Sequence, residues 1–320
     1  VFRHGGGYAL ISSMKMNYDV IIVGGGPAGL SVALVLARAC RRVLLCDAGH
    51  PRNERSHGLH GYLTRDGILP GEFLRLAREE ICRYEDVDTR DVNVTDAAPV
   101  EGGFQVTLAD GRAEAGRILV LATGVVDQVP RIEGIDALYG RSVFHCPYCD
   151  GWEVRDQPLA VYGRGTRGYE LALELTGWSR DVVLLTDGAA RLRPEQRDDL
   201  RRLDITVRED RIARLEGREG ILERVCFIND ALLPRRALFF NTGQVQRSPL
   251  PERFGCEFMR DGAVKSSREQ STTVPGLYVI GDASRDAQFV IVAAAEGAKA
   301  AEAINGELLK ADHAAHASGG

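Results

Sequence analysis

The sequence predicts an α/β chain of two Rossmann-like, three-layer dinucleotide-binding domains, the second inserted into the first. Three observations predict it: a strand–glycine turn–helix unit near the start, a second such unit about 140 residues later, and a late strand ending in Gly-Asp before an Ala-rich helix. A length of 320 residues suits about two domains. With 44% hydrophobic and 27% charged residues, the composition is that of a globular protein with a sizeable core. Lys and Arg total 40 against 45 Asp and Glu, and the resulting net charge of −5 argues against a nucleic-acid binder. No apolar run approaches the ~20 residues that span a bilayer. Residues 1–13 are expected to be an extension outside the fold, without a signal-peptide core, and the location is expected to be cytoplasmic. Residues 311–320, rich in Ala, His and Gly, are expected to fray.

The first unit opens with the continuous apolar run 18–23, suited to a parallel strand buried on both faces. It runs into Gly24-Gly25-Gly26-Pro27-Ala28-Gly29, a helical stretch at 30–39, and a second strand at 42–47 ending in Asp47. Gly24 permits the tight turn, Gly26 lets the backbone approach a pyrophosphate, and Gly29 lets helix and strand pack closely. The helix N-terminus offers amide donors to phosphate, and Asp47 can accept from a ribose hydroxyl. Two later segments favour FAD as the dinucleotide. One is the buried strand 117–124 ending in Thr123-Gly124. The other is the strand ending in Gly281-Asp282, where an acid beside a helix start is placed to bind ribityl hydroxyls or, more simply, to cap the helix.

The second unit repeats the pattern: strand 159–162, Gly163-Arg164-Gly165-Thr166-Arg167-Gly168, a helical stretch at 169–176, and a strand at 182–187 ending in Asp187. Gly163, Gly165, Gly168 and Asp187 form a pyridine nucleotide turn, in which an acid at the strand end favours a 2′-hydroxyl and repels a 2′-phosphate. Arg164 and Arg167 bring two long side chains into a turn built for close backbone approach. The site is therefore expected to be altered, serving NADH or no nucleotide.

Seven cysteines are too few and too scattered for a secreted disulfide framework. Five stand alone and read as small hydrophobes; Cys146 and Cys149 form one Cys-x-x-Cys. Zinc would want four ligands, and no second pair stands at a matching spacing. Beside an FAD-type turn the pair reads as a redox dithiol, with zinc binding and inert cysteines as the alternatives. Asp150 is either a proton carrier for that exchange or a helix-start acid.

Cys-x-x-Cys-Asp-Gly just ahead of the second glycine turn, after the FAD-type turn and the Thr-Gly strand and before the Gly-Asp strand, resembles the low-molecular-weight thioredoxin reductases. The likeness covers residues 16–305. It implies that Cys149 would lie against the flavin C4a, that Cys146 would attack the substrate disulfide, and that Asp150 would exchange the proton. It implies that Gly24, Gly26, Pro27, Ala28 and Gly29 would cradle the FAD pyrophosphate. Asp47 would then lie near the adenosine ribose, and Asp282 would hold the ribityl chain. A homodimer, a thioredoxin or small disulfide substrate, and an FAD domain at 14–127 and 246–320 around an NAD(P)H-type domain at 128–245 are also implied.

The chain departs from the typical members where these bind the 2′-phosphate with a His-Arg-Arg-type segment; here Thr186-Asp187-Gly188 stands. Where they carry Arg-Gln-Ala near the flavin, it has Gln288-Phe289-Val290, so that Phe289 either stacks near the ring or packs in the core. The donor is thus expected to be NADH, ferredoxin or another reductant rather than ordinary NADPH. Residues 191–202 form either a solvated helix face or a docking surface for an acidic partner. Asn53 and His60 are candidates for flavin contact, with an exposed loop as their plainer reading. Two other functions fit the same motifs: a dithiol oxidase passing electrons to oxygen, and a non-catalytic flavin redox sensor.

Overall fold

The computed structural model describes residues 16–284 and 287–318; the expected extension at 1–13 lies outside them. The chain forms two compact units. One holds the described residues up to 50, 76–125 and those from 246 onward; the other holds 51–75 and 126–245. Among the described residues, no helix is long and apolar enough to cross a membrane.

In the first unit the expected parallel sheet is present. Tyr18–Val23 pairs with Val43–Asp47 on one side and Ala113–Leu121 on the other, with Val87–Asp91 and Leu277–Val279 extending it. Val20, Ile21 and Ile22 are fully buried, as an uninterrupted apolar run on a two-sided sheet requires. An antiparallel pair, Val94–Val100 and Gly103–Leu108, continues the sheet through the hairpin turn at 109–111. Helix Pro27–Arg38 packs against Val290–Ser318 so closely that a Cβ at Gly297 would lie 2.3 Å from the Ala28 carbonyl oxygen. The helix from Val290 continues through Ser318 instead of fraying at 311. Asp312 explains part of this, pairing with Arg41 at 2.8 Å and Arg117 at 2.7 Å.

The second unit holds a parallel sheet in the order 206–208, 182–185, 159–162, 237–240, 143–144, beside an antiparallel meander of 212–218, 221–227 and 232–234. Leu159, Ala160, Val161, Leu184, Leu185 and Phe239 are fully buried at its centre. Segment 51–75 packs with this unit: Arg52 donates to Asp127 through Nε at 2.9 Å and Nη2 at 2.5 Å. At Gly140 (φ +82°) a Cβ would stand 2.6 Å from the Arg55 carbonyl oxygen. The charged stretch before 202 forms helix Pro194–Arg202, with ion pairs Asp198–Arg201 and Asp199–Arg202 along it. Of the five lone cysteines, Cys46, Cys226 and Cys256 are buried, whereas Cys40 and Cys82 are exposed.

The tightest helix–strand approach sets a stability test. A Cβ at Gly29 would fall 1.9 Å from the Gly24 carbonyl oxygen, a backbone atom that cannot swing aside. Gly29→Ala should destabilise the protein by about 3 kcal/mol, the upper end for overpacking. A urea midpoint unchanged from wild type would contradict this packing.

Candidate functional site

In the first unit the sequence-predicted residues converge at the N-terminus of helix Pro27–Arg38. Gly24 (φ +110°) passes so close to the neighbouring strand end that a Cβ would lie 2.3 Å from the Ala122 carbonyl oxygen. Gly26 is the N-cap, without a side-chain capping bond, and a Cβ there would meet nothing within 4 Å. Pro27 occupies the first helical turn, where its missing N–H costs nothing, and Ala28 and Gly29 are buried. By helix geometry the first amides have no carbonyl one turn earlier, and they stand free for an anion. Asp47 reaches the turn, since a Cβ at Gly25 would lie 2.7 Å from its carboxyl. Its carboxylate is paired with Arg78, which also holds Asp91 at 2.7 Å.

Thr123 and Gly124 follow the strand beside that turn. The Thr123 hydroxyl is buried and has no hydrogen-bond partner, and Gly124 takes φ +66°. Gly281 (φ +69°) lies against Ala28, where a Cβ would come within 3.0 Å of the Ala28 Cβ. Asp282 sits half-buried in the single turn Gly281–Ala283. The buried Glu296 accepts from the Gly281 amide at 2.8 Å and so fixes that turn. Phe289 accepts the Ala293 amide at 2.9 Å as helix Val290–Ser318 begins, and both Phe289 and Val290 are half-buried. An open glycine turn at a helix N-terminus and an orphaned buried hydroxyl beside it fit a dinucleotide such as FAD.

In the second unit Cys146 and Cys149 form a disulfide, with Cα atoms 5.3 Å apart. Pro147 starts the short helix Pro147–Asp150, with Cys146 as its N-cap, and the Cys149 amide donates to the Cys146 sulfur at 3.1 Å. Burial pushes the Asp150 carboxyl up to about 7, and the nearby Glu153 carboxylate adds to the shift. His60 lies between two acids, its Nε2 3.6 Å from Glu153 and its Nδ1 3.6 Å from Asp66. It packs with the disulfide-bearing unit, as does Asn53, whose carbonyl closes a local turn by accepting the Ser56 amide at 3.0 Å.

Sequence reasoning missed the network on the other flank of the cysteines. Asp127, with a 7% exposed side chain, is gripped by Arg52 and accepts from the Tyr139 hydroxyl at 3.2 Å. His145, the residue before Cys146, places Nδ1 3.8 Å from Asp127 and 3.4 Å from the Tyr139 hydroxyl. Burial alone would raise the Asp127 pKa, but Arg52 and His145 outweigh it and hold the carboxyl below its usual range. Tyr139 is raised by burial and by Asp127. Only the Cys-His neighbourhood at 145–146 carried any signal of this in the sequence.

The second glycine turn repeats the packing of the first. A Cβ at Gly163 would lie 2.8 Å from Gly168 Cα, and one at Gly168 would lie 2.6 Å from the Gly163 carbonyl carbon. Gly165 (φ +57°) donates its amide to the Ala190 carbonyl at 2.8 Å. Asp187 (φ +48°) accepts the Ile212 amide at 2.8 Å and lies 3.4 Å from Arg211 Nε and 3.5 Å from Arg164 Nη2.

Two tests follow from the flanking carboxyls. Asp150 titrates near 7 when folded against about 3.9 unfolded, so its contribution to stability is present at low pH and lost as pH rises through 7. Asp150→Asn should therefore gain stability over wild type above pH 7, by up to about 4 kcal/mol, and match it near pH 4. Urea unfolding of both proteins across this range measures the gap, and a constant gap would contradict the raised pKa. Asp127→Ala strands the Arg52 guanidinium and should cost about 3 kcal/mol or more. A thermal melt unchanged from wild type would show the pair to be dispensable.

The chain matches the family described as pyridine nucleotide-disulphide oxidoreductase over residues 18–297. It is 30% identical to the thioredoxin reductase aclD of Aspergillus oryzae, over 91% of this chain and 96% of that protein. It is likewise similar to the oxidoreductase from Agrobacterium tumefaciens, at 34% identity and a TM-score of 0.86, covering 92% of this chain and 99% of that one. The structure of HlmI superposes with a TM-score of 0.90 at 36% identity, covering 94% and 96% of the two chains. The chain belongs to the pyridine nucleotide-disulphide oxidoreductase family, as a divergent thioredoxin-reductase-like flavoprotein disulfide oxidoreductase with FAD as its cofactor.

Proposed function

We propose that this chain passes electrons between FAD and the Cys146–Cys149 disulfide and on to a thioredoxin-type or small disulfide, with a donor other than ordinary NADPH. The observation that carries this reading is the disulfide itself, closed across a helix N-cap and followed directly by an acid raised to about 7. The first unit holds FAD, and the inserted segment 128–245 carries the redox pair. Gly24, Gly26, Pro27, Ala28 and Gly29 take the pyrophosphate, Asp47 the adenosine ribose and Asp282 the ribityl hydroxyls. Thr123, Gly124, Gly281, Phe289 and Val290 complete the cofactor contacts of this unit. When bound, FAD supplies two-electron reduction of the pair.

Cys146 is the interchange thiol. The Cys149 amide donates to its sulfur and favours negative charge there once the pair is reduced. The Cys146 thiolate attacks the substrate disulfide, and the departing thiolate takes the proton that Asp150 holds at neutral pH. Cys149, deprotonated in turn by Asp150, attacks the Cys146 sulfur, releases the second thiol and restores the disulfide. Family resemblance supports a homodimer, and ferredoxin or another reductant that needs no nucleotide site is the first donor to try.

A second reading, dithiol oxidation with electrons passed to oxygen, is favoured by the second glycine turn, where Asp187 is already engaged by Ile212, Arg211 and Arg164. In that case a dithiol and oxygen give a disulfide and hydrogen peroxide, at a rate that NADH and NADPH leave unchanged.

The test uses FAD-loaded protein, photoreduced without oxygen and mixed with bis(2-hydroxyethyl) disulfide or oxidised thioredoxin. Wild type should release thiols. Cys146→Ser and Cys149→Ser should each lose this by at least about 100-fold while keeping the yellow flavin. Turnover surviving in either variant would remove the assignment.

A further inference from the structure

In the second unit one side chain fills the space that the first unit leaves open. Arg164, between Gly163 and Gly165 of the turn, folds back onto the end of strand Val182–Leu185. Its Nε donates to the Thr186 carbonyl at 2.5 Å, and its Nη2 donates to the Asp187 carbonyl and lies 3.5 Å from the Asp187 carboxylate. The guanidinium runs alongside Gly188 (φ +120°), where a Cβ would stand in ordinary contact, 3.5 Å from Nη2. At the matching position of the first turn stands Gly25, which has no side chain to fold back.

An acid at this strand end takes the adenosine ribose hydroxyls in a dinucleotide-binding unit. Here the Asp187 Oδ1 accepts the Ile212 amide at 2.8 Å and faces Arg211 Nε at 3.4 Å, while Oδ2 faces Arg164. The Gly165 amide, which the turn could present to a phosphate, is bonded to Ala190 instead. We propose that Arg164 is an internal ligand of the second dinucleotide unit, occupying the adenosine-ribose position and keeping pyridine nucleotides out. Resting on the oxidoreductase reading above, this makes Arg164 the residue that excludes NADH and NADPH as donors. The fork is spent on backbone carbonyls and an aspartate, so it is not held outward for a 2′-phosphate. The Asp187 carboxylate beside it repels that phosphate further.

Calorimetric titration of the FAD-loaded protein with NADH and with NADPH, for wild type, Arg164→Ala and Arg164→Ser, decides the matter. Wild type should bind both nucleotides no more tightly than about 1 mM. Each variant that keeps the wild-type melting profile should bind NADH at least about tenfold more tightly, with a smaller gain for NADPH because the freed Asp187 faces its 2′-phosphate. Micromolar binding by wild type that weakens in the variants would make Arg164 a nucleotide ligand and overturn the proposal. The absence of any gain in both folded variants would also overturn it. Bleaching of the wild-type flavin by dithiothreitol checks the parent reading separately, because that route runs through Cys146 and Cys149 and does not use the nucleotide turn.

Discussion

The first unit depends on a place where there is no room for a side chain. Backbone meets backbone where helix Pro27–Arg38 leaves the strand Tyr18–Val23, with the Gly29 Cα against the Gly24 carbonyl and Gly24 against Ala122. That contact draws the helix N-terminus over the strand ends and brings Asp47, Thr123 and Gly281 to one turn. The amides there stay free because the N-cap is a glycine and offers them no side chain. The second unit keeps the same contact through Gly163 and Gly168, so its fold is preserved. The two units differ in chemistry through what one side chain, Arg164, does with the space above.

The two carboxyls that flank the redox pair show how far surroundings set the behaviour of one residue type. Asp150 and Asp127 both lose water to burial, which opposes charge. Asp150 has another carboxylate, Glu153, for a neighbour, so its proton is held more firmly. Asp127 has a bidentate guanidinium and a histidine, so it stays ionised and organises Tyr139 and His145 around it. One acid can therefore carry a proton while the other serves as a fixed negative post.

Much of this was legible in the sequence because it is written in short-range patterns. The glycine spacings, the apolar strand runs 18–23 and 159–162, the acid after each second strand, and the Cys-x-x-Cys-Asp-Gly run each lie within a few residues. What stayed hidden depends on single residues far apart in the chain. Arg78 meets Asp47 across 31 positions, Arg52 meets Asp127 across 75, and Glu296 reaches back 15 residues to the Gly281 amide. No spacing rule announces such pairs, since an arginine on a helix surface looks the same whether or not an aspartate waits opposite. The ordered end of the last helix was hidden for the same reason, being tied by Asp312 to Arg41 and Arg117.

The first unit is written in separated stretches of the chain, and this has a consequence for its synthesis. Strand Leu277–Val279 completes its sheet beside Ala113–Leu121, and helix Val290–Ser318 covers helix Pro27–Arg38. All of the second unit has been synthesised by residue 245, whereas the early strands must wait for more than thirty further residues to find their last neighbour. During that interval the nascent chain carries a half-built apolar sheet, the kind of surface that chaperones shield and that aggregates when they do not.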